Sequence, residues 1–242
     1  MKIKHWLAIG VLLVAFVAVV AILVGVRSGK KTEAQPPVSL GLMAYLPFDG
    51  DARDASGNGN HGTISDVVLT TNRFGQPQRA YYFSGKGAHV AVTNSPTLSM
   101  TNAVSVAAWV KVEPGGIEQP RIIHKHVFDL RLSDRSGNPQ ICFDISRMEE
   151  GVATVMSSRI TSNEWIFVAG TYDGQILRLY TNGVLAAQTN TSIPIETNDL
   201  PVGIGRDLET GTDWFKGCID EVRIYNRALS ETEVQQLYQL PQ

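Results

Sequence analysis

The sequence predicts an all-β domain, a two-sheet antiparallel jelly-roll sandwich with a short C-terminal helix, preceded by one N-terminal transmembrane helix. Two observations predict the sandwich. Apolar residues alternate with period two in many short segments, as in 104–112, and no long amphipathic helix separates these segments. Parallel sheets need helical crossovers, so short strands joined by turns indicate antiparallel sheets.

The N-terminus contains a run of 21 residues without a charge, residues 6–26. At about 1.5 Å per residue, a helix of this length spans about 31 Å, the thickness of a bilayer core. The alternative is a cleaved signal peptide, but its apolar region is usually only about 7–15 residues long. We therefore expect a retained anchor, although cleavage stays open. The expected organisation is a cytoplasmic tail at 1–5, an anchor at 6–26, a linker at 27–40 and a folded domain at 41–242.

The charge distribution excludes one class of partner. Five of the 21 basic residues and none of the 23 acidic residues lie in 1–31, so the remainder carries 16 basic and 23 acidic residues. A net acidic domain without a basic cluster cannot neutralise phosphates, which argues against nucleic-acid binding.

Individual elements follow from local patterns. Strands are expected at 165–172, 176–181 and 184–189, joined by Asp-Gly and Asn-Gly dipeptides that favour two-residue hairpin turns. Ser230 and Glu233 form a capping box, which predicts a helix at about 231–239. Further strands are expected at 41–48, 79–83, 89–92, 122–124, 127–132, 140–145, 202–205 and 215–225.

Three groups of motifs carry a resemblance to a known family. They are LPFDG at 46–50 with DASGNGNHG at 54–62; VAAWVK at 106–111 with WIFVAGTYDG at 165–174 and LRLYTNG at 177–183; and FKGCIDEVRIYNRALS at 215–230. In this order they resemble the laminin G-like, concanavalin A-like lectin/glucanase jelly-roll family over nearly all of 41–238. The resemblance implies two stacked antiparallel sheets outside the cytoplasm, in carbohydrate-binding, adhesive or scaffold roles. It also orients the anchor, with the C-terminal domain periplasmic or extracellular.

A glycine-rich loop near the start of the domain concentrates oxygen ligands, among them Asp49, Asp54 and Asn58. Such oxygens suit calcium, but the same residue types also form ordinary turns, and both interpretations stay open from the residues alone. The family resemblance implies a structural calcium ion where this loop meets the Ile-Asp-Glu strand. The expected ligands are Asp49, Asp54, Asn58, His61 and Asp220, with Asn58 and His61 offering backbone oxygens.

Aromatic and histidine residues give further candidates. Trp214, in a polar loop, is the preferred contact for a glycan ligand, although a tryptophan folded over its own domain is an open alternative. Trp109 and Trp165 are expected to pack in the fold. His124 and His126 share one strand face and could form half of a zinc site, but no third ligand is marked by spacing. Cys142 and Cys218 pair or stay free.

Catalysis is not expected. Glucanases of this fold carry a motif that resembles Glu-x-Asp-x-Glu, in which alternate residues share one face of a strand. Asp220 and Glu221 are adjacent, so their carboxylates point to opposite faces unless a bulge intervenes. The sequence therefore predicts no enzyme, but a membrane-tethered extracytoplasmic binding module for carbohydrate, with a structural calcium ion. The alternative is a protein interaction, adhesion or envelope scaffold module, so the expected partner is a glycan or a surface protein.

Overall fold

The computed structural model describes residues 38–134, 137–147 and 150–241. The expected anchor at 6–26 and most of the expected linker lie outside these residues. Within the described ranges, no helix has the length and apolar character needed to cross a membrane.

The described residues form fifteen strands and one α-helix. In chain order these are β1 (Leu42–Leu46), β2 (Gly62–Ser65), β3 (Val68–Thr70), β4 (Ala80–Ser84), β5 (His89–Val92), β6 (Val104–Val112), β7 (Arg121–Lys125), β8 (Phe128–Ser133), β9 (Gln140–Arg147), β10 (Gly151–Arg159), β11 (Trp165–Tyr172), β12 (Ile176–Thr181), β13 (Val184–Asn190), β14 (Val202–Ile204), β15 (Lys216–Tyr225) and α1 (Glu231–Gln239). A short 3₁₀ turn, Pro96–Leu98, lies between β5 and β6.

The strands pair into two antiparallel sheets. Sheet A has the order β13-β12-β11-β6-β15-β4-β3, and β1 also pairs with β15. Sheet B has the order β10-β9-β8-β7-β14-β5-β2. This confirms the predicted two-sheet antiparallel sandwich with one short C-terminal helix.

Period-two alternation divides each strand between two environments. In β6, Val106, Ala108 and Val110 belong to the main core, while Ala107 and Trp109 belong to a second buried cluster with residues of α1. Trp109 is only 8% exposed, and its ring centroid lies 5.6 Å from that of Tyr238. Trp109 therefore packs as expected, on the outer face of sheet A.

The sequence signals for turns and for the helix cap largely predicted the local structures that form there. Asn182 and Gly183 form a two-residue turn with φ of 50° and 76°, a conformation that asparagine and glycine tolerate. The turn between β11 and β12 comprises three residues, 173–175, where the sequence predicted two. The Asp173 carboxylate accepts the N–H of Ile176 across this turn. Ser230 and Glu233 form the predicted capping box at the start of α1.

Three strands and the state of the cysteines were not fixed by the sequence. β2 and β3 are only four and three residues long, which is too short for a clear period-two pattern. β10 contains few apolar residues at alternate positions, so it lacks this pattern as well. Cys142 and Cys218 are both buried and free. Burial raises the pKa of each thiol to about 11, so both stay protonated at neutral pH.

Candidate functional site

The loop between β1 and β2 is organised by the carboxylate of Asp54. Its Oδ1 accepts the backbone N–H groups of Tyr45 and Ser56 at 2.9 and 2.8 Å, and its Oδ2 accepts the N–H of Asn60 at 2.9 Å and the Ser56 hydroxyl at 2.8 Å. These hydrogen bonds outweigh burial, which acts in the opposite direction, and hold the pKa of Asp54 below its usual value. Both carboxylate oxygens thus have partners within the loop.

The neighbouring predicted ligands Asn58 and His61 belong to the same network. The Asn58 side-chain amide donates to the carbonyls of Leu42 and Met43, and Nδ1 of His61 accepts the N–H of Asp54 at 3.0 Å. Asn60, which is buried, donates to the Met43 carbonyl at 2.7 Å. The loop is therefore closed by its own hydrogen bonds.

The other two predicted calcium ligands have arginine neighbours. Oδ2 of Asp49 lies 2.7 Å from Arg79, and Oδ2 of the fully buried Asp220 lies 3.7 Å from Arg73. Asp54, Asn58 and His61 are thus brought together, while Asp49 and Asp220 are each placed beside a cation. Nearby guanidinium charges and occupied carboxylate oxygens do not suit a calcium ligand set. Calcium at these residues remains a prediction from the sequence.

Trp214 lies in the loop between β14 and β15. Its indole N–H donates to the Gly211 carbonyl of the same loop at 3.0 Å, and the side chain is half-buried. The polar edge of the ring therefore already has a partner. A role of Trp214 in ligand binding stays a prediction.

The same loop brings two acids to a histidine on β7. Nε2 of His124 lies 3.6 Å from Oδ1 of Asp207 and 3.6 Å from Oε1 of Glu209. Nδ1 of His124 lies 3.6 Å from Oδ1 of Asp129, and Nδ1 of His126 lies 3.1 Å from Oε2 of Glu209. We call His124, Asp207 and Glu209 the histidine cluster.

Electrostatics within this cluster follow from burial and proximity. Burial lowers the pKa of His124, but the carboxylates of Asp129 and Asp207 raise it, and the net shift is upward. Burial raises the pKa of Asp207, but the backbone N–H groups of Thr210 and Glu209 and the nearby His124 shift it downward overall. The cluster is therefore a site where negative charge predominates.

Charged residues continue along the outer face of sheet B. Arg121 lies 2.7 Å from Asp129 and 3.1 Å from Asp213, and on the next strands Arg131 pairs with Asp144. A cavity of about 300 Å³ borders this row and is lined by Gln119, Arg131, Ser133, Asn138, Gln140, Met156 and Arg159.

A second depression, which we call the Trp165 cleft, lies where β10 leads into β11. It has a volume of about 460 Å³. Its lining combines one indole ring with hydroxyl, amide, carboxylate and guanidinium groups: Ser157, Ser158, Arg159, Ile160, Thr161, Glu164, Trp165, Ile166, Thr181, Asn182, Leu185 and Ala186. Arg159 lines both depressions, so polar side chains run from one to the other.

Sequence reasoning missed most of these residues. His124 and His126 were marked by their period-two spacing, but Asp207 and Glu209 lie more than 80 residues further along the chain, and only the pairing of β14 with β7 brings them near. The Trp165 cleft was missed because β10 was not predicted.

The fold defines a class of protein, the jelly-roll sandwich, in which two antiparallel sheets enclose one main core. The chain belongs to the concanavalin A-like lectin/glucanases superfamily, whose family model matches residues 84–235.

Three known proteins are similar to this chain in sequence or in fold. Human pappalysin-1 is 26% identical over 134 residues, which are 48% of this chain but only 8% of the human protein. Domain 4 of AbnA, an extracellular arabinanase from Geobacillus stearothermophilus solved with arabinotriose, superposes with a TM-score of 0.63 at 23% identity over 82% of this chain and 98% of that one. The ligand-binding domain of botulinum neurotoxin serotype D, solved with N-acetylneuraminic acid, gives a TM-score of 0.66 at 15% identity over 83% of this chain and 51% of that one.

Proposed function

We propose that this chain is a non-catalytic carbohydrate-binding module that is tethered to a membrane through residues 6–26 and displays its folded domain outside the cytoplasm. The observation that carries the binding function is the Trp165 cleft. It combines a half-buried indole ring with a surround of exposed polar side chains, including Arg159, Thr161 and Glu164.

Such a lining has the chemistry that a sugar requires. The apolar face of a pyranose or furanose ring packs on an aromatic ring, while its hydroxyls need convergent donors and acceptors. Arg159 donates, Glu164 accepts, and the hydroxyls of Thr161 and Thr181 can do either. A cleft of about 460 Å³ is of the size used by small-molecule sites.

The structural neighbours support carbohydrate as the ligand class. The AbnA domain was solved with an arabinose oligosaccharide and the neurotoxin domain with a sialic acid. Their sequence identities are low, so they support the class of ligand and leave the individual sugar open.

The cleft also supports a role without catalysis. Glycosidases of the common type use two carboxyl groups, about 5–9.5 Å apart. Among the described residues that line the Trp165 cleft, Glu164 is the single carboxylate. A bound sugar would therefore meet one acid and no partner for it.

A protein partner is the second candidate, favoured by exposed apolar side chains on edge strands. Val152 and Met156 on β10 are 62% and 44% exposed, and Val184 and Leu185 on β13 are 63% and 36% exposed. These strands form the neighbouring edges of the two sheets, where exposed apolar residues are typical of interaction surfaces.

A glycan array probed with the full chain, with calcium and with chelator, tests the proposal. We expect binding to at least one glycan class, and Arg159→Ala and Glu164→Gln are expected to weaken it by at least about tenfold, since each removes a charged hydrogen bond. Lys86→Ala, which removes an exposed cation outside the cleft, is the matched control and should bind as the parent does. Membrane fractionation and protease accessibility in intact cells test the tether. Absence of any glycan binding, with capture of a defined protein through Met156 and Leu185, would favour the second candidate.

A further inference from the structure

His124 is largely buried, and its ring nitrogens make no hydrogen bond of normal length. Its side chain is 12% exposed, and both ring nitrogens are inaccessible to solvent and without a hydrogen-bond partner. A neutral imidazole carries one N–H donor and one acceptor, and burying either without a partner is unfavourable. The carboxylates of Asp129, Asp207 and Glu209 lie 3.6 Å from these nitrogens, so their charges act on the ring without hydrogen bonds of normal length.

The two distances from Nε2 of His124, to Asp207 and to Glu209, are close to those between ligands of one metal ion. The three separations of 3.6 Å from His124 to Asp129, Asp207 and Glu209 exceed the usual 2.7–3.2 Å of an N–H···O hydrogen bond. Donors that each lie about 2.0–2.1 Å from a tetrahedral zinc ion are about 3.4 Å apart. One ligand atom from each of His124, Asp207 and Glu209 lies within 4.8 Å of the others.

We propose that His124, Asp207 and Glu209 bind a divalent transition-metal ion of the zinc type, a function independent of carbohydrate binding in the Trp165 cleft. The donor set is one imidazole nitrogen and two carboxylates, which suits zinc. Calcium is disfavoured here because it takes six to eight oxygen ligands. The fourth position is left to water or to a donor from a bound molecule.

Neighbouring groups are placed to orient these ligands. Asp129 faces Nδ1 of His124, on the opposite side of the ring from Asp207 and Glu209, and Arg121 holds Asp129 at 2.7 Å. A carboxylate behind the second nitrogen fixes the tautomer and orientation of a metal-bound histidine. His126 contacts the second oxygen of Glu209 and leaves the first oxygen directed at His124.

The loop between β14 and β15 presents the two acids in a fixed geometry. Oδ1 of Asp207 accepts the N–H groups of Glu209 and Thr210, and the N–H of Gly211 donates to the Asp207 carbonyl. Asp207 is 6% exposed, so its carboxylate is held in place by burial as well as by these hydrogen bonds. The ligand positions are thus set before a metal arrives.

Titration of the full chain with metal ions tests the proposal. The protein carries no polyhistidine tag, is freed of metal by a chelator, and is titrated by calorimetry with Zn²⁺ and separately with Ca²⁺. We expect one Zn²⁺ per chain, a higher melting temperature with Zn²⁺, and weaker or no Ca²⁺ binding at this site. Co²⁺ in place of Zn²⁺ should give the visible absorption of a tetrahedral centre.

Variants assign the binding to these residues. Glu209→Gln and Asp207→Asn should lose the Zn²⁺ heat and the melting shift, and Asp129→Asn should weaken binding by about 10–100-fold. His89→Gln, on β5 and outside the histidine cluster, is the matched control. Circular dichroism of the metal-free variants verifies that they fold. The side chain of Glu209 is 27% exposed, so Glu209→Gln leaves the core intact. Absence of Zn²⁺ binding by the parent, parent-like binding by Glu209→Gln, or preferential Ca²⁺ binding at these residues would overturn the proposal.

Discussion

The Asp54 loop and the histidine cluster both gather acidic side chains, but they differ in what those side chains contact. In the Asp54 loop, the carboxylate oxygens accept hydrogen bonds from Ser56 and Asn60 of the same loop and from Tyr45 of β1. In the histidine cluster, His124 faces three carboxylates at separations too long for hydrogen bonds. Oδ1 of Asp207 also accepts backbone N–H groups, those of Glu209 and Thr210, so internal donors occur in both regions. The difference lies in the imidazole of His124, which faces carboxylates without a hydrogen bond of normal length and so offers a metal ion a nitrogen ligand.

The largest expected effect comes from removing the carboxylate of Asp54. Asp54→Ala leaves the N–H groups of Tyr45, Ser56 and Asn60 without their acceptor, and we expect a loss of about 3 kcal/mol in the free energy of unfolding, or about 6–12 °C in melting temperature. Urea denaturation and thermal melting of the full chain measure both. Asp51→Asn in the same loop, at a side chain 55% exposed, is the matched control and should stay within about 0.5 kcal/mol of the parent. Equal effects of the two variants would mean that the Asp54 hydrogen bonds do not stabilise the loop.

A smaller effect should appear in acid. The pKa of Asp54 lies below its ordinary value of 3.8 in the folded state, so its ionised form stabilises the protein at pH above about 4. This stability is lost as pH falls through the lowered pKa. As the pH is lowered from about 5, the urea midpoint of the parent should therefore fall more steeply than that of Asp54→Asn. Parallel curves for the two proteins would contradict this origin of acid sensitivity.

The smallest effect is expected in the histidine cluster, for substitution of His124. His124→Gln in metal-free protein removes an imidazole that faces three carboxylates at 3.6 Å but makes no hydrogen bond of normal length. The free energy of unfolding should therefore fall by less than in Asp54→Ala, by about 1 kcal/mol. Urea denaturation in the presence of chelator gives this value. A loss as large as that of Asp54→Ala would show that His124 stabilises the fold without metal, and the contrast between the two regions would not hold.

Sequence predicted much of the fold because its signals are local. The period-two alternation of β6 and the exact extents of β11 and β12 follow from side chains that point to opposite faces of a strand. The capping box of α1 and the Asn182-Gly183 turn each depend on only a few consecutive residues. The sequence did not predict β10, because Val152, Thr154 and Met156 are exposed and its buried residues include the polar Ser157.

The candidate sites were predictable only in part, since composition does not specify what an oxygen accepts. Asp54 and its neighbours have the residue types of a calcium loop and also those of a hydrogen-bonded turn, and the sequence cannot distinguish the two. Of the three residues of the histidine cluster, the sequence marked only His124, through its spacing to His126. The acids Asp207 and Glu209 reach it through strand pairing in sheet B, which no local pattern encodes.

The position of β15 has a consequence for how the domain folds. This strand comes late in the chain, yet it pairs with β1, β4 and β6 in the interior of sheet A. During synthesis, β1 and one edge each of β4 and β6 therefore have no strand partner until residues 216–225 emerge. The long loops that must then close slow the final step. A nascent chain interrupted before that point would expose strand edges that template aggregation, so productive folding depends on completing translation through β15.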